Sequence, residues 1–169
     1  MRIKVFAALL AAPLVAAPAL ADDICFDRDT QFSALRHCVT SVRSPAFGPD
    51  HLAATDDGAW CASAERNQVI TLFLKPAAPL RTIGFTIGYA KSAETFRQNG
   101  RIRRALIETN TGYQGYIEPK DTTASQRFII PKGTYAWVRF TILETTRGSA
   151  NPSPCASEFL VNLEEFGNN

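Results

Sequence analysis

Between Tyr89 and Arg101 the chain reads YAKSAETFRQNGR, which puts an aromatic ring, an ammonium group, an amide and a guanidinium within one short stretch. These are recognition groups. Asn99 and Arg101 are planar donors and acceptors suited to vicinal hydroxyls, Lys91 adds a point charge, and the Tyr89 ring suits the apolar side of a pyranose. A lysine beside an arginine favours an acidic sugar or a phosphate. Trp60, which follows a long loop, and Tyr113 and Tyr116 in NTGYQGYIEP are secondary aromatic platforms. A second set is acidic. Asp56 and Asp57 share a loop and Glu158 lies near the C-terminus; two facing carboxylates are what a glycoside hydrolase uses, but a shared loop suits a structural or cation-holding role better. The chain has no GxSxG elbow, HExxH, P-loop or dinucleotide glycine motif. His37 adjoins Cys38 and His51 lies in the loop, so neither is placed as a catalytic base. Catalysis is therefore not expected, and no catalytic residue is assigned.

The elements that must position these groups read as strands. TIGFTIGY alternates strictly, with Ile83, Phe85, Ile87 and Tyr89 on one face and Thr82, Gly84, Thr86 and Gly88 on the other. The glycines of the second face signal close packing over that side. RIRRALIE alternates with a slip that a bulge near Arg103 and Arg104 repairs. Lys91, Asn99 and Arg101 then flank the connection of two antiparallel strands and are expected to meet at one end of the sheet. The competing reading is a hairpin with Asn99-Gly100 as its turn and a solvated basic face.

Other short strands are QVITLFL, ended by KPAAP, then YQGYIEP, QRFIIP, TYAWVRFTIL and SEFLVNLEEF. Short strands parted by Gly, Pro and Asn turns, with scarcely any helix, predict an all-β antiparallel sandwich of jelly-roll type. The exception is the start. DRDTQFSALRHCV sets Phe32, Leu35 and Val39 at roughly helical spacing, which predicts a short helical segment.

The first residues, MRIKVFAALLAAPLVAAPALA, have a basic start, an apolar middle and a small-x-small end, the pattern of a cleavable secretory leader. No later run approaches the ~20 apolar residues of a membrane-spanning helix. The expected organisation is a leader over 1–21, a lead-in over 22–43 and one sandwich domain over 44–169, in a secreted protein of the periplasm or the extracellular space. The formal charge of +2 vanishes once Arg2 and Lys4 leave with the leader, and a balanced chain is not a nucleic-acid binder. Cys25, Cys38, Cys61 and Cys155 contain no CxxC and match no zinc spacing. In an oxidising compartment they read as two disulfides, with three connectivities open.

The order and spacing of WC after an aspartate-rich loop, VITLFL, IGFTIGYAKSAETFRQNGRIRRALIE, QRFIIP, AWVRFTIL and CASEFLVNL resemble discoidin-like, galactose-binding-like domains. They look most like the glycan-binding domain of bacterial NAD-glycohydrolase toxins. The resemblance covers about 44–163. It rests on Trp60, on Gly88, Tyr89, Lys91 and Ser92, on Asn99 and Arg101, and on Ser157 and Glu158. It implies a jelly roll and a non-catalytic binding role for a carbohydrate at Tyr89, Lys91, Asn99 and Arg101. It also places the loop before Trp60 beside the last strand, which pairs Cys61 with Cys155 and leaves Cys25 with Cys38. Relatives in the wider superfamily hold a structural calcium. Here Ala54 and Gly58 fall at two of the ligand positions, which leaves Asp56, Asp57 and Glu158 as the oxygen donors. No other cofactor is expected. The alternatives to a glycan-binding module are an accessory module that docks a protein and takes no small ligand, and a hydrolase built on the loop carboxylates.

Overall fold

The computed structural model describes residues 23–53, 56–65 and 67–162. The expected leader over 1–21 lies outside them, as does Ala54. The described residues form a β-sandwich of eight strands, antiparallel except where β5 and β8 pair in parallel: β1 (Ile24–Asp29), β2 (Ala34–Val39), β3 (Trp60–Cys61), β4 (Val69–Ile87), β5 (Asn99–Thr109), β6 (Gln114–Ile117), β7 (Gln126–Thr146) and β8 (Asn151–Val161). Among the described residues these are joined by one short helix, α1 (Ala93–Gln98), and two 3-10 turns, Pro45–Phe47 and Pro49–Ala53.

Two long strands make both layers. The first part of β4 pairs with β2 and with the C-terminal part of β7, which also pairs with β5. After register shifts between Phe73 and Ala78 and between Leu80 and Thr82, β4 lies between the N-terminal part of β7 and β8. KPAAP was expected to end a strand, but it is the bend at which β4 passes from one layer to the other. Proline is tolerated there because a bulge does not require its missing N–H. Likewise QRFIIP and TYAWVRFTIL are one strand, β7.

Alternation fills the interior. Ile70, Leu72, Ile83, Phe85, Ile87, Val138 and Phe140 are buried together, each worth about 1.5–3 kcal/mol by removal of its side chain from water. Phe85, Phe140 and Phe159 form the centre, with ring centroids 4.5 to 5.9 Å apart. The bulge expected near Arg103 and Arg104 is present, as register shifts on both sides of Arg104 in the β5–β7 pairing.

The helical lead-in is corrected by the structure: Ile24–Asp29 and Ala34–Val39 form a β-hairpin that continues the sheet through β4. Leu35, His37 and Val39 all face inward, a period of two that the polar His37 hides in the sequence. The imidazole is buried because its Nε2 donates to the carbonyl of Phe159 at 2.8 Å. Cys25 stands directly opposite Cys38 in the hairpin, and the two are joined. Cys61 is joined to Cys155 and ties β3 to β8.

Candidate functional site

The segment between Tyr89 and Arg101 is not a hairpin. β4 and β5 do not pair, and between them Ser92 caps α1, its hydroxyl accepting from the Thr95 amide at 3.1 Å while the Ser92 amide donates to Thr95 Oγ1. The one buried side chain of α1, Phe96, packs over Gly88. Gly88 has a φ of +71°, and an added Cβ would stand 2.8 Å from the Phe96 ring and 2.9 Å from Arg101. This turn therefore requires glycine.

Folding the segment this way separates the four expected ligand residues. Asn99 is buried: its Oδ1 accepts from Arg43 at 2.8 Å and Asn151 at 3.2 Å, and its Nδ2 donates to the carbonyl of Thr95 at 2.9 Å. Arg101 runs back beneath α1, with 12% of its side chain exposed. Its Nε donates to Asp121 at 2.7 Å and its Nη1 to the carbonyls of Phe96 and Asn99. Its guanidinium lies 5.1 Å from the Phe96 ring centre. Both residues are struts of the fold. Tyr89 is half-buried against Phe47, in an edge-to-face contact of 6.1 Å, and against the Cys61–Cys155 disulfide. Lys91 alone is exposed.

Lys91 lines a cleft of about 310 Å³ with Asp56, Asp57, Thr86, Ser157 and Glu158. The acidic set read from the sequence thus meets one member of the basic set. Glu158 sits opposite Thr86 across the β4–β8 pairing. Its carboxylate accepts from Thr86 at 3.2 Å and from Ser125 at 3.1 Å. Ser157 is held by accepting from the Ala90 amide at 3.0 Å and donating to the Gly88 carbonyl at 3.1 Å. Asp56 accepts from the Gly58 amide at 2.7 Å and contacts His51 Nδ1 at 2.8 Å. The Gly58 N–H, followed by His51, holds its carboxyl below the usual carboxylate range, and the Lys91 charge acts in the same direction. Asp56 is an ionised acceptor. With Arg101 turned away, three carboxylates face one ammonium group, which does not favour the acidic sugar expected from a lysine–arginine pair.

Calcium does not fit this donor set. Among the described residues no three His, Cys, Asp or Glu side chains are grouped to hold a metal ion. One oxygen of Asp56 and both of Glu158 are engaged by protein donors, and an ammonium group lines the same cleft.

The secondary aromatic candidates lie elsewhere. Trp60 is fully buried, its Nε1 donating to the Ser41 carbonyl at 2.9 Å, so it is a core side chain and not a platform. Tyr113 is half-buried against the main core. Tyr116 is 63% exposed, and the Arg104 guanidinium lies 4.6 Å from its ring centre. Sequence reasoning gave no ligand role to Thr86, Ser125 or Ser157, although the resemblance already rested in part on Ser157. Alternation had already set Thr86 on the outward face; Ser125 joins only through its long-range hydrogen bond to Glu158 and carries no local signal.

Residues 56–162 match the family model of the NAD glycohydrolase translocation F5/8 type C domain. No curated protein matches the chain. Among solved structures, the family 32 carbohydrate-binding module from C. perfringens NanJ, in complex with galactose, is 14% identical over 75% of this chain and 92% of that one, with a TM-score of 0.59. CpGH89CBM32-5 from Clostridium perfringens, in complex with GalNAc-β-1,3-galactose, is 16% identical over 75% of this chain and 94% of that one, at 0.57. A mutant form of the arabinofuranosyltransferase AftD from Mycobacteria is 16% identical over 97% of this chain, at 0.62, and the match spans only 13% of that protein. At these identities the likeness is one of fold.

Proposed function

The chain belongs to the NAD glycohydrolase translocation F5/8 type C domain family, and from that premise we propose that it is an exported, non-catalytic module that holds a carbohydrate in the cleft between Lys91 and Glu158. The observation that carries this reading is the mixture of groups in one open concavity. A sugar hydroxyl both donates and accepts, so its site needs both kinds of partner. Lys91 donates, Asp57 and Glu158 accept, and Thr86 and Ser157 supply hydroxyls. Ser157 and Glu158 are fixed by bonds to the fold, so little side-chain freedom is lost on binding.

The charge of the cleft favours a neutral sugar over an acidic one. The galactose-containing complexes among the fold neighbours make galactose the first probe. A hydrolase pairs an ionised carboxylate with a carboxyl kept protonated as the acid; here Asp56 is held ionised, and both oxygens of Glu158 accept from Thr86 and Ser125. Export fits two disulfides, which persist in oxidising compartments.

A glycan array followed by calorimetry tests the site. Lys91→Ala and Glu158→Gln are expected to weaken a hit roughly tenfold or more, with the melting temperature of Lys91→Ala unchanged. An array with no hit, or a Lys91→Ala variant that binds as the parent does, would overturn the reading.

A further inference from the structure

Beside the Lys91 cleft the same face of the sheet continues as a shallow trough. Its strands are β7, β4 and β8, with Gly84 opposite Arg127 on one side and Leu160 on the other. Ile83, Phe85 and Phe159 fill the core, so their neighbours along each strand face out. The central row is therefore Arg127, Gly84 and Leu160, with only a hydrogen on its middle residue. The row toward the cleft holds Thr86 and Glu158; the row away from it holds Thr82 opposite Ile129.

A Cβ added at Gly84 would stand 3.1 Å from a Glu158 carboxylate oxygen. The glycine thus keeps the floor open beside the carboxylate that both concavities share. The cavity over the trough measures about 310 Å³ and has Ser125 and Glu158 in common with the Lys91 cleft. From Thr82 to Thr86 the floor runs roughly 13 Å, longer than one pyranose ring. A third cavity of about 350 Å³ adjoins its far end at Leu160, Val161 and Asn162, and carries the exposed ring of Phe32 beside Arg28 and Gln31.

We infer that the ligand is a chain and not a single sugar: a linear neutral oligosaccharide with one end in the Lys91 cleft and its next residues laid over Gly84. This rests on the carbohydrate reading of the cleft. Ile129, 73% exposed, and Leu160 offer apolar ledges for the C–H faces of sugar rings, while Arg127 and Thr82 stand beside them for hydroxyls. An extended peptide is disfavoured. Strand addition requires a free sheet edge, and here β4 pairs on both sides, with β7 and β8.

The test is calorimetric titration of the whole chain with galactose and its β-1,4-linked oligomers up to the hexasaccharide. Affinity is expected to rise about tenfold between galactose and the tetrasaccharide, or ~1.4 kcal/mol. The ratio of hexasaccharide to galactose affinity should fall toward unity in Gly84→Leu, which fills the trough, and in Arg127→Ala, a surface truncation that keeps the test open if the glycine variant fails to fold. Galactose binding with no dependence on chain length would overturn the extended site and leave the cleft standing. A length dependence that Arg127→Ala retains in full would also overturn it. Failure of every member of the series to bind would overturn the cleft reading together with it.

Discussion

Lys91 and Arg101 are ten residues apart in sequence, both cationic and both beside α1, yet one reaches into an open cleft and the other is a strut. The difference comes from what each side chain meets. Arg101 begins β5 with three protein acceptors in reach, the Asp121 carboxylate and the carbonyls of Phe96 and Asn99. Lys91 precedes the helix cap and opens onto the cleft, where it shares the lining with Asp56, Asp57 and Glu158. A basic residue close to a binding site in sequence becomes part of it only if the fold leaves its charge unsatisfied.

That contrast predicts opposite mutational behaviour, and the sealed side gives the largest effects. Cys61 and Cys155 close a separation of 94 residues beneath Tyr89 and Phe47. Replacing both by Ser is expected to cost about 4–5 kcal/mol of unfolding free energy in denaturant titration. A loss below about 1 kcal/mol would mean that hydrogen bonding alone holds the sealed side. Next, Arg101→Ala strands the Phe96 and Asn99 carbonyls and should cost ~2–3 kcal/mol, with sugar affinity per folded molecule unchanged. A selective loss of affinity at full stability would return Arg101 to the ligand site and erase the contrast.

Those two residues also mark what the sequence made legible. Period-two alternation put Ile83, Phe85 and Ile87 in the core, where they are, because a half-buried strand must obey it. The same alternation set Thr82, Gly84 and Thr86 outward, and they floor the cleft and the trough. The bulge at Arg104 was legible for the same reason. The orientation of Arg101 was not, since it depends on Asp121, a loop residue that only the tertiary fold brings to it. Nor was the hairpin of β1 and β2, because a buried histidine breaks an apolar pattern unless one knows that the Phe159 carbonyl waits for it. The Ser92–Thr95 cap was readable in principle, but α1 buries one side chain and carries no periodicity to announce itself.

His37 adds a pH-dependent test of the sealed kind of polar residue. Burial, opposed by its bond to the Phe159 carbonyl and aided by the nearby Arg28 charge, holds its pKa below the ordinary 6.5. Among the described residues its Nδ1 has no partner, so protonation would leave a buried N–H unsatisfied. The unfolded chain takes up the proton near 6.5 and the folded chain does not. Stability is therefore complete above that value, declines as pH falls below it, and levels off once pH passes the lower folded value. His37→Gln keeps a donor for Phe159 without the titration and should flatten the decline in thermal melts. An identical profile in that variant would show that other groups set the acid response.

The smallest effect on stability belongs to a residue whose loss is expected to weaken binding tenfold or more. Lys91 is exposed and, among the described residues, makes no side-chain hydrogen bond, and its attraction to Asp56 acts at an exposed site. Lys91→Ala should therefore change unfolding free energy by less than about 0.5 kcal/mol while removing the cleft's ammonium donor. Lys91→Arg sharpens the point. A guanidinium keeps the charge but spreads it over a planar fork, so a role in steering alone would survive the exchange, whereas a point donor to one sugar hydroxyl would not. Binding restored to the parent level by arginine would assign Lys91 to long-range attraction and move the burden of recognition to Thr86, Ser157 and Glu158, side chains that the fold itself holds in place.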